Sequence, residues 1–179
     1  MIRKAKRADI DGVVEIYDAI HESEEKGTVS VGWIRGVYPT RETALRALKR
    51  GDLFVYDDEG DILAAAVINQ EQDEAYGKGS WDDEVPDEAV CVLHTLVVSP
   101  SCNHRGIGRE FVAFYEDYAR EHGWYELRMD TNEKNKRARA MYKKLSYREV
   151  DIVPTVFNGI RGVNLVLLEK NLREGEPAE

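Results

Sequence analysis

The residues of this 179-residue chain that could do chemistry gather in two stretches. The first is Asn103-His104-Arg105-Gly106-Ile107-Gly108-Arg109, a basic Gly-x-Gly turn between an apolar run and a helical pattern. First-turn amides of a helix lack carbonyl partners, and the helix end carries partial positive charge. Glycine lets an anion reach the backbone where a Cβ would clash. Such a turn suits a phosphate or pyrophosphate, although a bare Gly-x-Gly also fits a plain turn that ends a strand. The second stretch places Asn135, Ala138 and Tyr142 at helical spacing. Tyr142, a phenol with an ordinary pKa of about 10, can protonate a leaving group; it also fits a helix-face aromatic of the core. Asn135 can cap its helix and bond a ligand at once. Glu88 and His94, at the entry and inside of the apolar run, are the candidate bases. A histidine in an apolar strand is more often a core residue, and a glutamate there is more often solvated.

These groups need elements to hold them. Ile2 to Ala5 reads as a strand. Asp9 is an N-cap for a helix with Ile10, Val13, Val14, Tyr17 and Ile20 on one face. Thr40 caps a second helix, Arg41 to Arg50. Leu53 to Tyr56 and Ile62 to Ile68 form a hairpin across Asp57-Asp58-Glu59-Gly60. Ala89 to Val98 is the central strand, and Gly106 to about His122 the following helix, closed by Gly123. Trp124 to Asp130 is a strand and Asn135 to Leu145 a short helix. Tyr147 to Val153 is a strand ended by Pro154, Asn158-Gly159 is a hairpin turn, and Val163 to Glu169 is the last strand. Gln70 to Glu88 is long for a loop, carries Asp82-Asp83-Glu84, and is a candidate acceptor-side segment. Residues 1–172 read as one domain and 173–179 as a flexible tail.

Together the two stretches resemble the GCN5-related N-acetyltransferases, the GNAT superfamily. Asn103 to Gly108 is similar to that family's [Gln/Arg]-x-x-Gly-x-[Gly/Ala] pyrophosphate loop. Asn135, Ala138 and Tyr142 match its Asn-x-x-Ala-x-x-x-Tyr helix. Asn103 stands where Gln or Arg is usual, which removes one side-chain contact and leaves the backbone amides. Ser146-Tyr147 stands where Gly-Phe is usual. The resemblance implies an α/β (α+β) fold: a mixed, mostly antiparallel six- to seven-stranded sheet with helices on both faces and a V-shaped splay between its central strands. It implies acetyl-CoA as co-substrate, cradled by residues 103–109 with Asn135. Leu96 and Val98 would turn their backbone toward its arm, the Leu96 or Val97 amide would serve as oxyanion donor, and Tyr142 as general acid. The implied reaction is transfer of acetyl to a primary amine by direct attack. The acceptor is a small-molecule amine or a protein N-terminus or lysine. An acyl-CoA-binding sensor or scaffold without turnover is the alternative. Relatives of this fold also pair into homodimers through C-terminal strands. Trp33, Tyr38, Tyr76 and Trp81 are guesses for the acceptor pocket.

Composition narrows the field. A net charge of −9 disfavours nucleic acid and anionic membrane as partners. No apolar run reaches a bilayer span, and no apolar segment follows the basic start as in a signal peptide. A reducing cytoplasm fits the two cysteines, Cys91 as core and Cys102 exposed in the loop. No residues show metal-ligand spacing. A P-loop or dinucleotide module would need Lys-Ser/Thr or a third spaced glycine after the turn, where the chain has Gly108-Arg109-Glu110.

Overall fold

The computed structural model describes residues 1–81, 85–102 and 105–173. A single seven-stranded sheet contains β1 (Ile2–Lys4), β2 (Leu53–Asp58), β3 (Asp61–Asn69), β4 (Val90–Val98), β5 (Glu126–Asn132), β6 (Arg148–Phe157) and β7 (Ile160–Asn171). Its spatial order is β1-β2-β3-β4-β5-β7-β6. Neighbours are antiparallel except β4 with β5. The helices are α1 (Ile10–Glu25), α2 (Arg41–Arg50), α3 (Ile107–Glu121) and α4 (Lys136–Lys144). This is the mixed, mostly antiparallel α/β (α+β) sheet expected, covered on both faces.

Helical spacing decides which face each helix buries. Ile10, Val13, Tyr17 and Ile20 of α1, with Ala44 and Ala47 of α2, pack on Leu53, Val55, Ala65 and Val97. On the opposite face Ile107, Phe111 and Tyr115 of α3 and Tyr142 of α4 pack on Cys91, Leu93, Leu127 and Met129. Thr40 caps α2 as expected, its hydroxyl accepting from the Thr43 amide at 3.4 Å. Asp9 stands at the N-cap of α1 as expected but makes no side-chain bond to the helix. Its carboxylate reaches back to the Lys6 amide at 2.6 Å and takes two bonds from the Arg3 guanidinium, so its charge closes the preceding turn.

Two expectations are corrected. Pro154 does not end its strand, because β6 is the last strand of the sheet; an edge strand tolerates a residue without an N–H, and Pro154 sits opposite Asn164. Cys102 is buried rather than exposed, 6% accessible under the short turn Pro100–Cys102. The Asn158-Gly159 turn does join β6 to β7, with positive φ at both residues. Loop 70–88 carries short 3₁₀ turns at Glu74–Lys78 and Asp87–Ala89, and buries Tyr76. The acidic run 82–84 lies outside the described residues, as do positions 174–179 of the expected tail.

Candidate active site

The site begins where β4 leaves β5. The ladder pairs Val90 with Glu126, Cys91 with Leu127, Val92 with Arg128 and Leu93 with Met129, and goes no further. Both strands continue, β4 to Val98 and β5 to Asn132. On its other edge β4 stays with β3 but slips by one residue: His94 faces Val67 and Val97 faces Ala65, so Thr95 and Leu96 share the place opposite Ala66. Thr95 absorbs the slip with φ +51, a left-handed conformation that costs a β-branched residue about 1–2 kcal/mol. The bulge inverts the strand's parity. Cys91 and Leu93 face the α3 layer below it, and Leu96 and Val98 face that layer above it. The Ser99 amide donates to Leu63 on β3. By strand alternation Val97 also faces β3, whereas Leu96 and Val98 turn their backbone groups toward the gap. Of the two amides considered, Leu96 has the orientation that an oxyanion donor needs.

Beside the gap lies the helix start. Gly106 takes φ +82 at the N-cap of α3, and a Cβ there would meet nothing within 4 Å. Arg109 and Glu110 both donate to the Gly106 carbonyl. The Ile107 and Gly108 amides precede the first intrahelical acceptor and make no backbone hydrogen bond to the other described residues, which suits them to a ligand. Gly108 lets α3 press on α4, since a Cβ would lie 3.3 Å from Met141 Sδ and 3.8 Å from Val98 Cγ2. Arg105 points to the β2–β3 hairpin and pairs with Asp58 at 3.2 Å, while Arg109 is exposed. Asn103 and His104 lie outside the described residues. The open cradle and the unmatched amides are what an anionic diphosphate fits.

Two cavities meet at the bulge. One, of about 90 Å³, is lined by Trp33, Leu96, Asn135 and Tyr142 among others. The other, of about 320 Å³, lies between α2 and loop 70–88 and is lined by Thr43, Arg46, Glu71, Asp73 and His94 among others. Tyr38, Leu93, Thr95, Asp130 and Phe157 belong to both. The Tyr38 and Thr95 hydroxyls are hydrogen-bonded, and Trp33 and Phe157 set their edges against the Tyr38 ring at 5.8 and 5.6 Å. Asn135 caps α4 through the Ala138 amide at 3.2 Å. Tyr142 is 6% accessible, and burial pushes its phenol above the ordinary range, so it holds its proton at neutral pH.

Neither base candidate from the sequence fills that role cleanly. Glu88 is exposed in the 3₁₀ turn before β4, at the zipped end of the β4–β5 pair and some eight residues from Leu96. At about 3.3 Å per strand residue that is on the order of 25 Å from Leu96. His94 does line the larger cavity. Its Nε2 lies 2.9 Å from Asn69 Oδ1, and burial lowers its pKa, leaving it a weak base. Asn69 Nδ2 donates to Asp52 at 2.8 Å, which fixes the amide with its oxygen toward the imidazole.

The group that sequence reading missed is Asp130. It sits on β5 just past the last paired residue, walls both cavities, and accepts a hydrogen bond from Tyr76 at 2.9 Å. Burial raises its pKa to about 7, and the nearby Asp73 charge adds to the effect. A carboxylate poised there has the basicity a proton acceptor needs. The one signal in the sequence was an acid closing the alternating run Tyr125, Leu127, Met129. Of the four guessed aromatics, Trp33 and Tyr38 line the smaller cavity and Tyr76 holds Asp130. Trp81 supports Tyr76 at 5.3 Å and covers the Arg128 guanidinium at 4.3 Å.

The acetyltransferase (GNAT) family model matches residues 13–147. The chain belongs to that family. No curated protein matches it by sequence. Among solved structures, a GNAT-family acetyltransferase of Streptococcus agalactiae is 25% identical with a TM-score of 0.78, over 96% of this chain and 94% of that one. A Salmonella typhimurium protein solved with its cofactor acetyl-CoA is 16% identical, TM-score 0.68, over 100% and 97%. The ribosomal-protein-alanine N-acetyltransferase of Brucella melitensis is 18% identical, TM-score 0.70, over 96% and 99%. The splay, the bulge and the glycine cradle therefore stand in a GNAT fold.

Proposed function

We propose that this GNAT protein is an N-acetyltransferase that moves an acetyl group from acetyl-CoA to a primary amine by direct attack. The observation that carries the reading is the parting of β4 and β5 beyond Leu93 and Met129, which brings Leu96, Asp130 and Tyr142 around one cavity. Acetyl-CoA supplies the acyl group as a thioester, whose C–S bond breaks as the new N–C bond forms. The Ile107 and Gly108 amides and the α3 N-terminus hold its diphosphate. The Leu96 amide faces the acyl oxygen and stabilises the charge that grows there.

Asp130 takes the proton that the ammonium must lose before attack, and the second proton, shed as the amide forms, restores the one that Tyr142 gives to sulfur. An amine with pKa near 10 is only about one part in a thousand neutral at pH 7, so removing that proton is a central task of the site. Tyr142 keeps its own proton until the sulfur departs, then gives it up. Tyr76 and Asp73 are positioning residues: one orients the Asp130 carboxylate, the other keeps it basic.

The test is acetyl transfer from acetyl-CoA to an amine panel, with Tyr142→Phe and Asp130→Asn alongside. The proposal expects turnover in the wild type and a drop of about 10²-fold or more in each variant. Tight acetyl-CoA binding with no turnover on any amine would make the protein a sensor instead.

A further inference from the structure

The larger cavity carries both signs of charge, and they are separated. Thr43, Arg46, Ala47 and Arg50 follow one another at helical spacing, so a single face of α2 forms one wall. Arg50 is already committed. Its Nε donates to Asp52 Oδ2 at 2.7 Å and its Nη2 to Oδ1 at 3.3 Å. Arg46, exposed at the rim, makes no ion pair or hydrogen bond with any of the described residues. On the other side stand Asp73 and Asp130, while Glu71 lies 4.0 Å from Arg50 Nε. The Tyr38 hydroxyl lines the same cavity as all three charges; burial raises its pKa most, Asp130 and Asp73 raise it further, and Arg46 lowers it. That hydroxyl is itself fixed on Thr95, the bulge residue.

We infer that the acceptor is a small amino acid, whose amine meets Asp130 and Asp73 at the gap and whose carboxylate meets Arg46 on α2. This rests on the N-acetyltransferase reading and names its substrate class. A diamine would set a second cation against Arg46. An amine without a carboxylate would leave the guanidinium unmatched. A protein N-terminus presents an amide where this site offers a cation. The volume of about 320 Å³ lies at the small end of the roughly 300–1,000 Å³ usual for ligand pockets. The walls between the charges, Ala47, Val67, Leu93 and Phe157, are apolar and suit a neutral side chain.

The experiment compares kcat/KM for three acceptors with one side chain: the free amino acid, its carboxamide and the decarboxylated amine. It is run on the wild type, Arg46→Ala and Arg46→Lys, with a diamine as a fourth acceptor. The wild type is expected to favour the amino acid over its carboxamide by about tenfold or more, mainly through KM. In Arg46→Ala that ratio falls toward one, and Arg46→Lys restores part of it. Equal use of the three acceptors, a preference for the diamine, or a ratio untouched in Arg46→Ala overturns the inference and leaves the acetyltransferase reading standing. No turnover with any amine overturns both.

Discussion

The two halves of β4 make an instructive pair. From Val90 to Leu93 the strand is zipped to β5 and shielded on both faces by core. Within this stretch Tyr115, fully buried on α3, donates its hydroxyl to the Cys91 carbonyl at 2.6 Å and lies 3.2 Å from the Arg128 carbonyl. From His94 to Val98 the same strand is bulged and has lost β5 as a neighbour. Both halves are rich in apolar and β-branched residues, with His94 and Thr95 the polar members of the second. Their difference lies in what satisfies the backbone: strand and tyrosine at one end, a cavity at the other. Buried backbone groups must be paired, so a strand edge opened inside a protein marks a place for a ligand.

Breaking the open half should show first in rate. Asp130→Asn is expected to lower kcat/KM by about 10²–10⁴-fold. In the wild type kcat/KM should climb as pH rises through about 7, where Asp130 loses its proton, and the variant should lack that limb. The stability effect has the opposite sign. A carboxyl raised from its ordinary range to about 7 stabilises the fold fully only below its unfolded value, and that contribution is lost as pH rises through 7. Asp130→Asn should therefore gain melting temperature over the wild type at pH 8, and the gain should shrink toward pH 4. A single pH-independent drop in activity would contradict the assignment.

The zipped half should respond in stability alone. Leu127→Ala, in the fully buried face opposite Cys91, is expected to cost about 2–5 kcal/mol in denaturant unfolding. Tyr115→Phe leaves a buried carbonyl without its donor and should cost about 1–3 kcal/mol. Smaller still is Ser146→Gly. Ser146 is exposed after α4 and sits at φ +67, where the GNAT pattern has glycine. Relief of that backbone strain, less the entropy glycine adds to the unfolded chain, should stabilise by about 0.5–1 kcal/mol. Glu88→Gln, at the far end of the pair, should change kcat/KM by less than about twofold; a loss like that of Asp130→Asn would return it to the list of bases.

Much of the fold was legible because its signals are local. Thr40 and Gly51 bracket α2, Asn158-Gly159 turns the last hairpin, and Gly106 opens α3. Each depends on atoms a few residues apart. The errors came where distant parts of the chain intervene. Pro154 reads as a stop because an edge position is set by the assembled sheet and not by the local sequence. Asp9 holds the N-cap position of α1 that its type and place predict, but Arg3 and the Lys6 amide claim its carboxylate. Glu88 looked well placed because it precedes the central strand, and only the ladder shows that this is the closed end.

The amino-acid sequence by itself determined the glycine cradle, the α4 residues Asn135 and Tyr142, and the order of strands and helices, since period, caps and turns are short-range properties. Tertiary structure alone decided that β4 slips at Thr95, that Leu96 rather than Val97 faces the gap, and that Asp130 is basic. The bulge is a matter of register against β3. The basicity of Asp130 comes from burial and from the charge of Asp73, and the hydrogen bond from Tyr76, fifty-four positions away, tempers it. Such a field exists only once the chain has closed around the carboxyl.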